Sequence, residues 1–247
     1  MCELWTEGSV GLTEDTIDAL KGEQRAVWLK LINDNCIRGE HLKVLDAGCG
    51  AGFFSILLAQ EGHEITAIDL SNGMLKQSQK NAKDYGVEDK ITFMKMDAQH
   101  TLFDDNSFDL IVSRNISWMF ADLATAYSEW YRILKSRGRF LNFDGNWFLH
   151  LYDDTLMEKY LKNLELAKQL GYKCTDVHRA SPEEIECMMK ALPMSCQRRP
   201  DLDLMVLDTL GFGKTIIDRQ LPSNVMRKEL AVKNQHTPMF MVCVEKS

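Results

Sequence analysis

The sequence predicts an α/β fold, a doubly wound and mostly parallel sheet with helices on both faces. Three observations carry this. Short apolar runs ending in an acid or another polar residue recur from residue 42 onward, separated by helical segments. A glycine cluster, Gly48-Cys-Gly-Ala-Gly52, joins the first run to an apolar helix. The 247 residues are 45% hydrophobic and 26% charged, which suits a chain that buries a large core without a disulfide or metal.

In chain order, residues 13–35 set Leu20, Val27, Trp28 and Leu31 near helical spacing, which predicts a helix inside an N-terminal helical cap over 1–40. Residues 42–46 form a first strand, and a helix over 53–60 follows the glycines directly. A second strand covers 64–69. The helix after it starts at Ser71 and stops near Tyr85, with Gly86 as its terminator. The third strand is 91–97 and the fourth 108–113. Leu123, Tyr127, Trp130 and Leu134 share one side of a helix over 123–134, and a fifth strand covers 139–144. The alternation then breaks. Residues 148–200 hold two helices, over 153–170 and 182–191, the second opening on the capping box Ser181-Pro-Glu-Glu184. This segment is expected to be a helical lid inserted over the strand edge. Strands at 214–218 and 239–244 complete seven, with a polar, loop-like stretch over 220–236 between them. Pro238 precedes the last strand, where its missing donor does little harm. Residues 1–247 are expected to form a single domain.

Right-handed crossovers bring the carboxyl ends of parallel strands to one edge, where ligands bind in such sheets. Asp46, Asp69, Asp97, residues 113–118 and residues 144–147 therefore converge. The net charge of −7 repels phosphate backbones and argues against nucleic acid as the main partner, with Arg198-Arg199 the only suggestive basic doublet. No apolar run approaches the ~20 residues that span a bilayer. The first residues lack a basic and an apolar leader region, so a soluble cytoplasmic protein is expected.

The glycine loop admits two readings. One is a phosphate-binding G-x-G-x-x-G turn for a nicotinamide oxidoreductase, but Phe53 stands where close helix–strand packing asks for Gly or Ala. The other is Asp-x-Gly-x-Gly-x-Gly, whose bare backbone admits a ligand without phosphate. Asp46 would repel a pyrophosphate and suits an ammonium group. Asp69, at the next strand end, is placed to accept from a ribose diol. Asp97 can meet the exocyclic amine of adenine. Ammonium, ribose and adenine without phosphate describe S-adenosylmethionine. A non-catalytic module that binds this cofactor is a further alternative.

Four segments in order make the likeness specific: Val44-Leu-Asp-Ala-Gly-Cys-Gly-Ala-Gly52, Ala67-Ile-Asp-Leu-Ser-Asn-Gly-Met74, Met96-Asp-Ala98 and Phe108-Asp-Leu-Ile-Val-Ser-Arg-Asn115. Through them the chain resembles the class I S-adenosylmethionine-dependent methyltransferases, in the small-molecule group similar to ubiquinone-biosynthesis methyltransferases. The resemblance implies a Rossmann-like seven-stranded sheet with the last strand antiparallel. It implies that Asp46, Gly48, Cys49 and Gly50 surround the methionine moiety and Asp69 holds the ribose. Leu70 and Met74 would flank the adenine, Asp97 and Ala98 would meet its edge, and Arg114 would lie near the sulfonium. It also suggests that the first residues, with Trp5, Gly8 and Gly11, fold over the cofactor. The turn Leu134-Lys-Ser-Arg-Gly138 departs from the family's usual Leu-Lys-Pro-Gly-Gly, and 148–200 goes beyond the family minimum.

The implied reaction is an in-line displacement onto a small-molecule acceptor, for which alignment matters more than a dedicated base. Pocket candidates are Asn115 and Trp118 after strand four, Asn146 and Trp147 after strand five, and Tyr152. The two tryptophans suit an apolar or cationic acceptor. Asp144 and His150 are the candidates for a base. The seven cysteines show no zinc-type spacing and are expected to be reduced thiols with no metal, although Cys174, Cys187 and Cys196 lie close enough in sequence to suggest a soft-element variant. The sequence is silent on the acceptor atom and on oligomeric state.

Overall fold

The structure is a computed structural model that describes residues 16–37, 41–172, 181–210 and 212–247. Trp5, Gly8 and Gly11 of the expected cap, and Cys174 and His178 of the insertion, lie outside the described residues.

One seven-stranded sheet organises the fold. Its strands are β1 (Lys43–Ala47), β2 (Glu64–Asp69), β3 (Ile91–Lys95), β4 (Phe108–Arg114), β5 (Leu134–Asp144), β6 (Thr215–Asp218) and β7 (Phe240–Glu245), in the order β3-β2-β1-β4-β5-β7-β6. Strands β1 to β5 run parallel, and β7 lies antiparallel between β5 and β6. The order reverses beside β1, whose carboxyl end opens the crevice that such sheets use for ligands.

Side chains alternate between two cores with the strand period of two. Val44, Leu110, Val112, Leu141, Phe143, Met241 and Cys243 face one layer, while Leu45, Ile111, Phe140, Val242 and Val244 face the other. The first layer receives α1 (Glu23–Asn35), α2 (Phe53–Gln60) and α3 (Asn72–Asp84). Here Trp28 packs edge-on against Phe54 and Phe143 and donates its indole N–H to the Val225 carbonyl. The second layer receives α4 (Leu123–Ile133), capped by Asp122, and α7 (Asp201–Leu210). Between them in sequence are α5 (Asp154–Gln169) and α6 (Pro182–Lys190), and α8 (Lys228–Lys233) follows β6.

Several expectations are refined. The first helix is broken at Gly22, with 16–21 helical before it. Strand β3 ends at Lys95, so Asp97 sits beyond it in an isolated bridge with His100. Strand β5 begins at Leu134, with an irregular register against β4 that absorbs the 134–138 turn. Helix α7 was not expected. Its apolar residues Leu202, Val206 and Leu207 pack on the second layer, and its acids had masked that face. Residues 220–236, expected as loop, contain α8 and a 3-10 turn at Ser223–Val225. The Ser181–Glu184 capping box is formed, with both reciprocal bonds present. Among the described residues no helix is long and apolar enough to cross a membrane.

Candidate functional site

The glycine loop turns at the carboxyl end of β1. Gly48, Gly50 and Gly52 all take positive φ, of 72°, 52° and 92°. Gly48 and Cys49 donate their amides to the Ile68 carbonyl, which pins the loop to β2. Asn81 of α3 donates to the Ala51 carbonyl at 2.8 Å and holds the loop from the other side. A Cβ at Gly48 would press on Ile116, and one at Gly52 would lie 2.3 Å from the Ser78 hydroxyl. A Cβ at Gly50 would meet nothing within 4 Å. Two of the glycines thus serve packing, and the middle one presents bare backbone to open space.

The acids at the strand ends differ in setting. Asp46 is 2% exposed and accepts from the Ser55 hydroxyl at 2.5 Å. Burial lifts its carboxyl to about 6 against the pull of Ser55 and Arg114, with Asp69 raising it further. Asp69 accepts the Gly50 amide at 2.9 Å and the Ser71 amide at 2.8 Å, one on each oxygen. Burial also raises its pKa. Each oxygen keeps a second lone pair. Leu70 is 45% exposed, an apolar side chain in solvent beside that carboxylate, whereas Met74 is buried under the N-cap of α3. Asp97 accepts the Gln99 amide, and Ala98 is buried with its carbonyl held by Trp130. The Arg114 guanidinium stacks 4.4 Å above Phe53 and within 5.5 Å of Trp28 and Phe54, where its charge helps keep Asp46 ionised. Cys49 is buried and its thiol is held well above the usual range.

These residues fit S-adenosylmethionine. The rim gathers the buried Asp46 carboxylate, the half-buried Asp69 carboxylate, an exposed Leu70 and an open backbone cradle at Gly50. Phe53, the residue at odds with a dinucleotide turn, is buried against Trp28 and Phe54.

The rim after β4 and β5 is built differently. Asn115 takes φ 58° and is exposed, its carbonyl accepting the Trp118 indole N–H at 3.0 Å. Trp118, Trp147 and Phe148 cluster with Met119, Leu151, Ile185, Met188, Met189 and Leu192, a third apolar group formed by this rim and α6. Tyr152 is exposed and donates to the Lys190 carbonyl at 2.8 Å, tying the segment after β5 to the end of α6. Asn146 pairs with the Arg199 backbone at 2.7 and 3.0 Å.

The two base candidates stand apart from what the sequence suggested. Asp144 is fully buried. Its oxygens accept from Ser117, the Trp118 amide, the Gly145 amide, the Trp147 indole and Arg199. Five donors, the Arg199 guanidinium among them, occupy this carboxylate. His150 stacks on Tyr160 at 4.0 Å and meets His236 edge-on. Burial and the charges of His236 and Lys233 lower its pKa to about 4.

The Arg198-Arg199 doublet is not a surface patch. Arg198 pairs with Asp153 in solvent, and the Arg199 side chain is 1% exposed. Cys187 and Cys196 are both exposed, and among the described residues no three His, Cys, Asp or Glu gather at metal-binding distance. Sequence reasoning missed Ser55, Asn81 and Ile116 behind the loop, and Tyr127, Asn142, Arg199 and Asp203 behind Asp144. None belongs to a local motif. Asn142, a polar residue in the apolar strand run ending at Asp144, and Arg199, in a basic doublet, were the visible signals.

Comparison with known proteins adds to this geometry. Residues 45–142 match the model of a methyltransferase domain. The chain is 29% identical over 202 residues to an uncharacterized methyltransferase of Bacillus subtilis strain 168, covering 81% of this chain and 75% of that one. It is 36% identical over 209 residues to malonyl-[acyl-carrier protein] O-methyltransferase of Erwinia billingiae, covering 81% and 76%. A crystal structure of a "putative S-adenosyl-L-methionine-dependent methyltransferase" from Methanococcus maripaludis superposes with a TM-score of 0.62 at 25% identity, over 98% of this chain and 93% of that one.

Proposed function

The chain belongs to the class I S-adenosylmethionine-dependent methyltransferases, and on that premise we propose that it methylates a small-molecule acceptor by in-line displacement. The single observation that carries the reading is the Gly50 cradle. Its amide is bonded to Asp69 while its Cα faces open space, so backbone and carboxylate form one surface for a phosphate-free nucleoside. Family membership displaces the nicotinamide alternative.

In this reading Asp46 holds the ammonium end, with Gly48, Cys49 and Gly50 forming the backbone wall around it. Asp69 accepts from the ribose. Leu70 and Met74 lie against the adenine, and Asp97 and Ala98 meet its edge. Arg114 balances Asp46 from its aromatic bed, on the side of the sulfonium. Bound S-adenosylmethionine supplies an electrophilic methyl group on a sulfonium. The protein's contribution is alignment of the acceptor, which can lower a barrier by ~7–11 kcal/mol. Asn115, Trp118, Asn146 and Trp147 line the acceptor side, with Tyr152 holding the helical segment over it. Asp144 is reassigned from base to anchor of that wall. His150, lowered to about 4 by burial and the charges around it, is neutral at pH 7 and a weak base.

The test is incubation with cofactor labelled in its methyl group and a panel of thiol, amine and carboxylate metabolites. Labelled small product with inverted configuration at a chiral methyl is expected. Retention of configuration, or label found only in macromolecules, refutes the proposal.

A further inference from the structure

Arg199 lies beyond the residues matched by the methyltransferase domain model, at the far end of the helical insertion, yet it is bonded into the rim after β5. Its backbone is held on both sides by the Asn146 amide group. Its guanidinium grips Asp203 through Nε at 2.8 Å and Nη2 at 2.6 Å, and reaches Asp144 Oδ2 through Nη1 at 3.1 Å. Tyr127 donates to Asp203, and Asn142 links Tyr127 to Ser117. The side chains of Arg199, Asp144 and Asp203 are at most 1% exposed.

Burying two carboxylates with one guanidinium is a poor way to stabilise a fold, because desolvation offsets the attraction and apolar residues of equal volume would serve as well. What such a network supplies is fixed geometry. Here the geometry is that of the acceptor wall, because Asp144 Oδ2, which meets Arg199, also holds the Trp118 amide, and Oδ1 of the same carboxylate holds the Trp147 indole.

We propose that Arg199 is a positioning residue for the methyl acceptor: through Asp144 it sets Trp118 and Trp147, so the acceptor wall forms only when the return of the insertion is docked. This rests on the acceptor side assigned above.

The test is hydrogen exchange by NMR on the full ¹⁵N-labelled chain, alongside calorimetric titration with S-adenosylhomocysteine. In Arg199→Met the Trp118 amide and Trp147 indole N–H are expected to exchange at least tenfold faster, while amides of β1 and β2 hold their rates. In Arg199→Lys, which restores the charge, the increase stays below about threefold. S-adenosylhomocysteine affinity moves less than twofold in both. Unchanged exchange at both tryptophans overturns the proposal, as does acceleration spread evenly over the sheet. A loss of S-adenosylhomocysteine affinity matching the change in exchange also overturns it. Should Arg199→Met not fold, Tyr127→Phe, which deletes one hydroxyl, is expected to accelerate the same two protons about threefold. In the wild type the Arg199 Nε–H must give a protected resonance, and an unprotected one overturns the proposal. Failure of the wild type to bind S-adenosylhomocysteine strikes the cofactor assignment instead, and leaves the exchange data to decide on Arg199.

Discussion

Gly50 and Gly86 form a matched pair that isolates ligand contact from backbone strain. Both take positive φ, 52° and 66°, and a Cβ at either would meet nothing within 4 Å. Alanine at either position therefore pays only the left-handed backbone cost, roughly 1–2 kcal/mol. At this chain length that corresponds to a loss of about 2–8 °C in Tm. The two variants should melt alike. They should not bind alike, because the open space beside Gly50 is where the cofactor backbone is assigned. A methyl group there is expected to weaken S-adenosylhomocysteine at least tenfold, about 1.4 kcal/mol, while Gly86→Ala stays within a factor of two. Calorimetric titration of both proteins is the assay. Gly52→Ala is the contrasting case, since its Cβ would lie 2.3 Å from the Ser78 hydroxyl and stability should fall further, with partial recovery in Gly52→Ala/Ser78→Ala. Equal affinities in Gly50→Ala and Gly86→Ala would refute the cradle.

Three other outcomes are expected. Burial raises the Asp46 carboxyl from 3.8 to about 6, so an incoming ammonium must displace a proton at lower pH. S-adenosylmethionine affinity, read by calorimetry, should rise about fivefold from pH 5 to pH 6 and about tenfold in all by pH 7, levelling off above it, whereas the same raised pKa makes the ligand-free protein lose stability as pH climbs from 3.8 to 6. Leu70→Asp places a charge on an exposed site beside Asp69 and should leave Tm within about 2 °C, yet cut S-adenosylhomocysteine affinity severalfold if the side chain covers a ring. His150 has its pKa lowered from 6.5 to about 4, so its contribution to stability is present above pH 6.5 and lost as pH falls toward 4. His150→Phe keeps a ring against Tyr160 and should flatten that part of the acid limb in thermal melts at pH 5 and pH 7.

The cofactor half was legible because it is local. Strand, glycine loop and helix sit within twenty residues, and topology alone brings Asp46 and Asp69 to one edge. The acceptor half depends on contacts between residues distant in sequence. Asp144 looked like a base because it ends a strand, and only the fold shows that Arg199, 55 positions on, pairs with it. Helix α7 went unseen for a related reason: Asp201, Asp203 and Asp208 interrupt its apolar spacing, and Asp203 is turned inward to meet Arg199 and Tyr127. Phe53, which seemed only to spoil a dinucleotide turn, is a platform for Arg114.

The sheet order also constrains how the protein is made. Strand β7 fills the slot between β5 and β6, both translated earlier. Until residues 240–245 leave the ribosome, each of those strands presents a bare edge, a template for pairing with a neighbouring nascent chain. Closure of the sheet is thus postponed until β7 has followed β5 and β6 out, and chaperone demand should peak in that interval.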